Sequence, residues 1–270
     1  MVFLILQFKT NKLMENKIGL VLSGGGTKGI AEAGAIKFLE ENNIFPEIIA
    51  GTSAGAIVGG LYAFGRTPEE ILDFFKSVYF FNWKHFTFSK PGFINSDIFR
   101  LYLKPIIGEI KIKDLRIELL ISATDLIQGD TFVFSGDDYL LDAIIASCSV
   151  PGLASPFKKD EMLLSDGGIL NNFPSNLVRD KCNKLIGVFV SPLQDVEKNQ
   201  LNSIKSVATR AYELLSHSVE NYKFRDCDWF ISPKELSNYG MFESKKTRMD
   251  ELFSLGYKEA EKTFPNNFKF

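Results

Sequence analysis

A serine flanked by glycines is the residue of this sequence best suited to covalent chemistry. Residues 51–55 read Gly-Thr-Ser-Ala-Gly, a GxSxG pattern that follows the mostly apolar segment 47–50 and precedes a segment predicted to be helical. Such a pattern makes a sharp turn from a strand into a helix and exposes the serine hydroxyl at the helix N-terminus. Ligands of open α/β sheets bind at the carboxyl ends of the strands, where this turn lies. We therefore predict that Ser53 is a nucleophile, with Gly51 and Gly55 shaping the turn.

A glycine-rich loop precedes this serine by one predicted helix and one predicted strand. Residues 24–29 read Gly-Gly-Gly-Thr-Lys-Gly, which satisfies GxGxxG. A dinucleotide site is disfavoured, because the second predicted strand ends without the acidic residue that binds ribose. A phosphate-binding P-loop is excluded, because Gly29 is followed by Ile30 and the required Gly-Lys-Ser/Thr is missing.

The backbone N–H groups of this loop are suited to binding an oxyanion, since glycines let the backbone approach a ligand closely. The loop and the serine turn follow neighbouring parallel strands of one βαβ unit, so we expect the amides of Gly24, Gly25 and Gly26 near Ser53. A glycine turn that only permits tight packing of helix against strand is the alternative. Lys28 either contacts an anionic head group or the carbonyl groups of the loop, or is a solvated lysine at a helix start.

Two arrangements could remove the proton of a serine nucleophile. In the first, Asp166 acts directly; it ends a predicted strand and is followed by Gly167 and Gly168, which leave its carboxylate uncrowded. Burial against apolar walls would raise the pKa of this carboxyl towards that of a useful base. The second is a triad of Ser53, Asp166 and His217, although His217 lies inside a long predicted helix.

Other candidates are few, because the 270 residues include only two histidines. His85 lies in an aromatic stretch, in the wrong chain order for such a triad, and Asp125 is a second carboxylate at the end of a predicted strand.

So few histidines exclude most His-rich metal centres, and the three cysteines lack the CxxC spacing of a zinc site, so no metal is expected. A formal net charge of −2 argues against a nucleic-acid surface.

Three motifs stand in order along the chain, Gly24–Gly29, Gly51–Gly55 and Asp166–Gly168. Together they resemble the patatin-like phospholipase family, and the resemblance covers about residues 17–192. The connecting segments are similar as well: residues 123–126 with Gly129 after them, residues 146–147 leading to 150–152, and residues 172–174. The resemblance implies a three-layer α/β/α sandwich with a largely parallel central sheet, which agrees with the alternation of predicted strands and helices.

The resemblance also implies a Ser–Asp dyad, with Ser53 as nucleophile, Asp166 as base and the glycine-loop amides as the oxyanion hole. The implied reaction is hydrolysis of fatty-acyl esters of phospholipids or lysophospholipids through an acyl-enzyme, with no metal or organic cofactor. A general carboxylesterase or thioesterase that uses the triad with His217 is the alternative enzyme. A non-catalytic acyl- or nucleotide-binding module is the alternative of a different class.

Aromatic residues are concentrated after the serine turn. Phe80, Phe81 and Trp83 belong to the stretch 74–99, whose density of aromatic rings suggests an acyl-chain channel or a cover that meets a lipid surface. Packing in the core is the alternative. A phospholipid or another acyl ester is the expected substrate, transient contact with a membrane surface stays open, and no nucleic-acid partner is expected.

The chain is predicted to comprise an N-terminal extension at 1–16 and a single domain at 17–270, with its motifs in 17–192 and a C-terminal part at 193–270. We expect neither a signal peptide nor a transmembrane helix, since no apolar run approaches ~18 residues, and therefore a cytoplasmic location. The predicted strands are 18–23, 47–50, 117–123, 131–134, 161–164, 185–191 and 229–231. The predicted helices are 27–42, 53–64, one that starts at 68, 138–148, 202–224 and 249–263.

Overall fold

The computed structural model of the chain describes residues 17–78, 98–193, 195–266 and 268. The predicted extension 1–16 lies outside the described residues. So do His85 and the aromatic residues Phe80, Phe81 and Trp83, so their role as an acyl channel stays a prediction.

Eight strands of the described residues form one mixed sheet. They are β1 (Ile18–Leu22), β2 (Ile48–Thr52), β3 (Glu118–Asp125), β4 (Asp130–Phe134), β5 (Phe157–Lys159), β6 (Met162–Asp166), β7 (Lys184–Val188) and β8 (Trp229–Ile231). Their order in the sheet is β5-β6-β3-β2-β1-β7-β8, and β4 pairs with β3 beside this path. The pairs from β3 through β2, β1 and β7 to β8 are parallel, whereas β4 and β6 run antiparallel to β3.

Seven α-helices of the described residues accompany this sheet. They are α1 (Ile30–Glu41), α2 (Ala54–Phe64), α3 (Pro68–Ser77), α4 (Ile98–Ile107), α5 (Leu140–Ser147), α6 (Ile204–Glu220) and α7 (Lys246–Thr263). Among these helices, none has the length and the apolar composition that crossing a membrane requires.

Side chains of β1 point alternately to two apolar layers, as expected for a central strand that is covered on both faces. Leu20 and Leu22 belong to the core that includes α1, α2 and α7, whereas Val21 packs with Phe189 on the opposite face. His217 of α6 contacts the ring of Phe189, so helices lie on both sides of the sheet. The predicted α/β sandwich is therefore confirmed, with an antiparallel part around β4, β5 and β6.

Several element boundaries differ from the predictions. The glycine loop enters its helix through a 3-10 turn, Gly26–Gly29. The helix predicted at 202–224 ends at Glu220, and a separate 3-10 turn follows at Lys223–Asp226. The sequence left helix and loop open for the region of α4, which contains Pro105, and proline is a poor helix former. Strand β5 was missed, since three residues are too few for a periodic pattern.

Candidate active site

Ser53 lies in a strained turn between β2 and α2. Its backbone angles are φ 52° and ψ −115°, a conformation that costs a residue with a side chain roughly 1–3 kcal/mol. The turn also packs tightly, because a Cβ on Gly55 would collide with the carbonyl of Leu22 at the end of β1. Strain of this kind persists only where the surrounding structure enforces it, and it is often found at functional sites.

The end of α5 holds the backbone of Ser53 in this conformation. The Ser53 amide donates to Ser147 Oγ over 2.8 Å, and the Ser147 hydroxyl donates to the carbonyl of Ser122 over 2.7 Å. The Cys148 thiol donates to the Ser53 carbonyl over 3.3 Å. Sequence reasoning assigned no role to Ser147 or Cys148, because they lie 94 and 95 positions from Ser53 in the chain.

The register of the strands brings Asp166 to the serine turn. Strands β2 and β3 align Thr52 with Ser122, and strands β3 and β6 align Ala123 with Asp166. Ser53 and Asp166 therefore both lie one residue beyond the level of Thr52 and Ser122. The sheet thus brings the two predicted residues together, and the Ser53 side chain lies near enough to the Asp166 carboxylate to stabilise its ionised form.

Burial controls the acidity of Asp166. The residue is 4% exposed, and removal from water raises the pKa of its carboxyl to about 6. Hydrogen bonds from Ser53 and from the Gly168 amide, the latter over 2.7 Å, act in the opposite direction by stabilising the ionised form. A carboxylate with this pKa is ionised at neutral pH and is a stronger base than an ordinary aspartate.

The glycine loop follows β1 and lies beside the serine. A Cβ on Gly24 would come within 3.3 Å of Ser53 Cβ. The Gly24 amide donates to the carbonyl of Asn172 over 3.1 Å, which removes it from the predicted set of three oxyanion donors. The amides of Gly25 and Gly26 find no acceptor among the residues that the structure describes, and so they remain able to bind a negatively charged oxygen.

The C-terminal part of the chain covers the other side of this loop. The Thr27 amide donates to the carbonyl of Met241 over 2.8 Å. Gly26 has φ 61° and faces the same carbonyl, which a Cβ at this position would strike, so only glycine fits here. Lys28 is 9% exposed, so it is not the solvated lysine that the sequence left open. No sequence pattern pointed to Met241.

The two rival side chains have other surroundings. The ring of His217 lies 6.0 Å from that of Phe189 and 6.0 Å from that of Phe224, and burial lowers the pKa of this imidazole. Asp125 accepts a hydrogen bond from the Ile127 amide over 2.9 Å, in the turn that follows β3. These contacts place His217 in an aromatic cluster and Asp125 in a hairpin turn.

A family model matches the part of the chain that carries the three motifs. The model described as patatin-like phospholipase matches residues 20–178, a range that includes the glycine loop, the serine turn and Asp166. The chain belongs to the patatin-like phospholipase family. The resemblance carried by the three motifs is thereby confirmed.

Curated relatives share this patatin-like region. The chain is 33% identical over 178 residues to a patatin-like phospholipase domain-containing protein of Caenorhabditis elegans, and the aligned region covers 62% of this chain and 13% of that protein. It is 30% identical over 190 residues to lysophospholipase NTE1 of Saccharomyces cerevisiae, where the aligned region covers 66% of this chain and 11% of that protein. It is 35% identical over 171 residues to an uncharacterized NTE family protein of Mycobacterium bovis, which covers 58% and 44%. The matches therefore span less than half the length of each of these relatives.

A solved structure supports the patatin-like fold. VipD from Legionella pneumophila superimposes with a TM-score of 0.62 at 16% sequence identity, over 92% of this chain and 66% of the VipD chain. At this identity, the likeness concerns the fold alone.

Proposed function

We propose that this patatin-like chain is a lipid acyl hydrolase that cleaves fatty-acyl esters of phospholipids or lysophospholipids. The observation that carries the proposal is the placement of Ser53 next to the buried carboxylate of Asp166, beside the glycine loop. A lipid ester as substrate is supported by the family to which the chain belongs and by relatives that are named lysophospholipases.

In the proposed acylation step, the Ser53 hydroxyl oxygen attacks the carbonyl carbon of the ester while Asp166 accepts the hydroxyl proton. The carbonyl oxygen becomes negatively charged and receives hydrogen bonds from the amides of Gly25 and Gly26. As the tetrahedral intermediate collapses, the protonated Asp166 returns this proton to the leaving alcohol oxygen. The ester C–O bond breaks and the fatty acyl group stays on the serine.

Deacylation repeats these steps with water. Asp166 accepts a proton from water as the water oxygen attacks the acyl carbon, and the same two amides bind the oxyanion. Collapse of the second intermediate expels the serine oxygen, which takes its proton back from Asp166. The fatty acid leaves and the site returns to its starting state.

The general carboxylesterase or thioesterase remains the alternative within the same chemistry. It needs the same nucleophile, and in its triad form it needs His217 as the base. The placement of His217 against Phe189 and Phe224 favours the direct role of Asp166.

Labelling with a fluorophosphonate probe tests the nucleophile. We expect labelling of the wild type and none of Ser53→Ala, while Asp125→Asn and His217→Ala serve as controls that keep both labelling and turnover. A folded wild-type protein that is not labelled would contradict the proposal and favour a binding module. Loss of activity in a folded His217→Ala variant would favour the triad.

Turnover of two substrates tests the lipid assignment. We expect long-chain lysophosphatidylcholine to be hydrolysed with a higher kcat/KM than a short aryl ester. The reverse preference would favour the general carboxylesterase.

We also propose that residues 17–270 form a single domain. Strand β8 extends the sheet by pairing with β7, and α7 packs so closely on α1 that a Cβ on Gly256 would strike the Ala31 carbonyl. A fragment that ends at residue 192 lacks both elements. We expect it to show no cooperative thermal unfolding by circular dichroism, whereas cooperative unfolding would contradict the single domain.

A further inference from the structure

An ion pair is buried near the active site, outside the residues that the family model matches. Lys223 Nζ lies 2.9 Å from Glu220 Oε2, and the two side chains are 4% and 2% exposed. Removal of two charges from water is unfavourable unless their remaining polar atoms also find partners. The partners of this pair therefore indicate what it supports.

Both members of the pair bind the short segment Asn171–Asn172. The Asn172 amide donates to Glu220 Oε1 over 2.8 Å, and Lys223 Nζ donates to Asn171 Oδ1 over 2.6 Å. Asn171 Nδ2 also donates to Asn176 Oδ1 over 3.2 Å, which fixes the orientation of the Asn171 amide group. The ion pair thus restrains the backbone of one asparagine and the side chain of its neighbour.

The same segment is bonded to the elements that carry the active site. The Asn172 carbonyl accepts the Gly24 amide over 3.1 Å, and the Asn171 carbonyl accepts Thr52 Oγ1 over 2.8 Å. The Asn171 amide donates to the carbonyl of Gly167 over 2.8 Å. The glycine loop, the residue before the nucleophile and the residue after the base therefore all meet at this segment.

We propose that Glu220 and Lys223 are positioning residues that hold the glycine loop against the serine through Asn172. Glu220 binds the N–H of Asn172, whose C=O binds the amide of Gly24, so a shift of this one residue moves the loop. The catalytic part of the inference rests on the proposed function, because it assigns the next two amides of the loop to the oxyanion. Such donors act only from a well-defined position, so small displacements lower the rate.

Two double variants separate the hydrogen bond from the charges. Glu220→Gln/Lys223→Met and Glu220→Leu/Lys223→Met both remove the ion pair, but only the first keeps an oxygen for the Asn172 amide. The matched control is Asp228→Asn. Asp228 Oδ2 likewise accepts a hydrogen bond from a backbone amide, that of Leu185 over 2.7 Å, and forms an ion pair with Arg179 at 2.8 Å. This contact lies at the amino end of β7, the end of the strand opposite to the proposed active site.

Hydrogen exchange of the Gly24 amide is the direct readout, since it needs no substrate. We expect the Leu/Met variant to exchange about tenfold faster than wild type at this amide, as the loss of one buried hydrogen bond implies. The Gln/Met variant should lie between them, and Asp228→Asn should match the wild type. Equal exchange in the Leu/Met variant and the wild type would overturn the proposal.

Kinetics on the same proteins measure the catalytic consequence. We expect kcat to fall about tenfold in the Leu/Met variant with KM nearly unchanged, and to fall less in the Gln/Met variant. An equal fall in Asp228→Asn, at an equal loss of Tm, would overturn the positioning role. Ordered changes of Gly24 exchange in a protein that hydrolyses no ester would support the link through Asn172 and contradict the proposed function.

A single variant covers the case in which the Leu/Met protein does not fold. Glu220→Gln replaces a charged acceptor by a neutral one, which forms a weaker hydrogen bond with Asn172. We expect exchange at Gly24 about threefold faster than in the wild type, in proportion to that weakening. Exchange at the wild-type rate would overturn the proposal.

Discussion

Two buried carboxyl groups near the glycine loop differ in their partners. Asp166 ends β6 and Glu32 lies in the first turn of α1, where a Cβ on Gly29 would be 3.5 Å from Glu32 Oε2. Burial raises the pKa of both groups. The ionised form of Asp166 is stabilised by the Ser53 side chain and by the Gly168 amide, which donates over 2.7 Å. For Glu32 only the backbone of Ser23 acts in this direction, and neither carboxyl oxygen makes a well-formed hydrogen bond among the described residues.

The difference shows that burial alone does not make a catalytic base. Hydrogen-bond donors stabilise the ionised form of Asp166 and keep its pKa at about 6, so the group can gain and lose a proton near neutral pH. For Glu32, desolvation raises the pKa well above its usual value, and the backbone hydrogen bond from Ser23 opposes this only in part. The Ser53 side chain and the Gly168 amide at the carboxylate are what distinguish the proposed base from Glu32.

The largest expected effect comes from neutralising each carboxyl in turn. Asp166→Asn removes the proton acceptor and should lower kcat by about 10³-fold, in the range that loss of a general base produces. Glu32→Gln is the matched variant and should keep kcat within about twofold, because Glu32 takes no part in the proposed proton transfer and glutamine has nearly the same shape. Steady-state hydrolysis of lysophosphatidylcholine measures both. A comparable loss in a folded Glu32→Gln protein would end the distinction between the two sites.

The pH dependence of turnover tests the assignment of the base. Because only ionised Asp166 accepts a proton, kcat/KM should fall about tenfold per pH unit below a midpoint of about 6. Glu32→Gln should leave this midpoint in place. A midpoint that moves with Glu32, or an acid limb at the pKa of an ordinary aspartate, would contradict the role of burial at Asp166.

Loss of the support behind the serine should have a smaller effect. Ser147→Ala removes the acceptor of the Ser53 amide, so the strained turn loses one buried hydrogen bond. We expect kcat to fall about tenfold, in line with the energy of one such bond. The control is Ser149→Ala, because the Ser149 hydroxyl lies just beyond α5 and donates to the Ile145 carbonyl of that helix over 2.8 Å. Equal kcat values in the two variants would mean that Ser147 does not position the nucleophile.

The smallest expected effect concerns stability at Glu32. The folded state binds the Glu32 proton more tightly than the unfolded state, so the free energy of unfolding should decrease as the pH rises above the unfolded pKa of 4.5. Glu32→Met removes the unpartnered oxygens and should raise the free energy of unfolding at pH 8 by about 1 kcal/mol or more. Urea denaturation at pH 5 and pH 8 measures the change. A variant that gains no stability at pH 8 would indicate that Glu32 is not an uncompensated group.

Much of the active site was predictable because its chemistry depends on neighbours in the chain. The sharp turn at Ser53 needs small residues on both sides, and the loop at Gly24–Gly26 needs residues without a side chain. An aspartate before two glycines at a strand end is a local pattern too. The alternation of strands and helices predicted the layers of the fold. The proline-containing helix α4 and the short strand β5 could not be assigned from the sequence, because their local patterns are weak.

The sequence by itself determined which residues can act as nucleophile, base and oxyanion donors, since these roles follow from residue type and turn chemistry. Tertiary structure decided how they are held. Only the fold shows that the Gly24 amide binds the Asn172 carbonyl, that Ser147 supports Ser53, and that Glu220 at the end of α6 binds the Asn172 amide. These contacts join residues that are 48 to 148 positions apart in the chain. Strand register and helix packing bring such residues together, and local periodicity does not encode either of them.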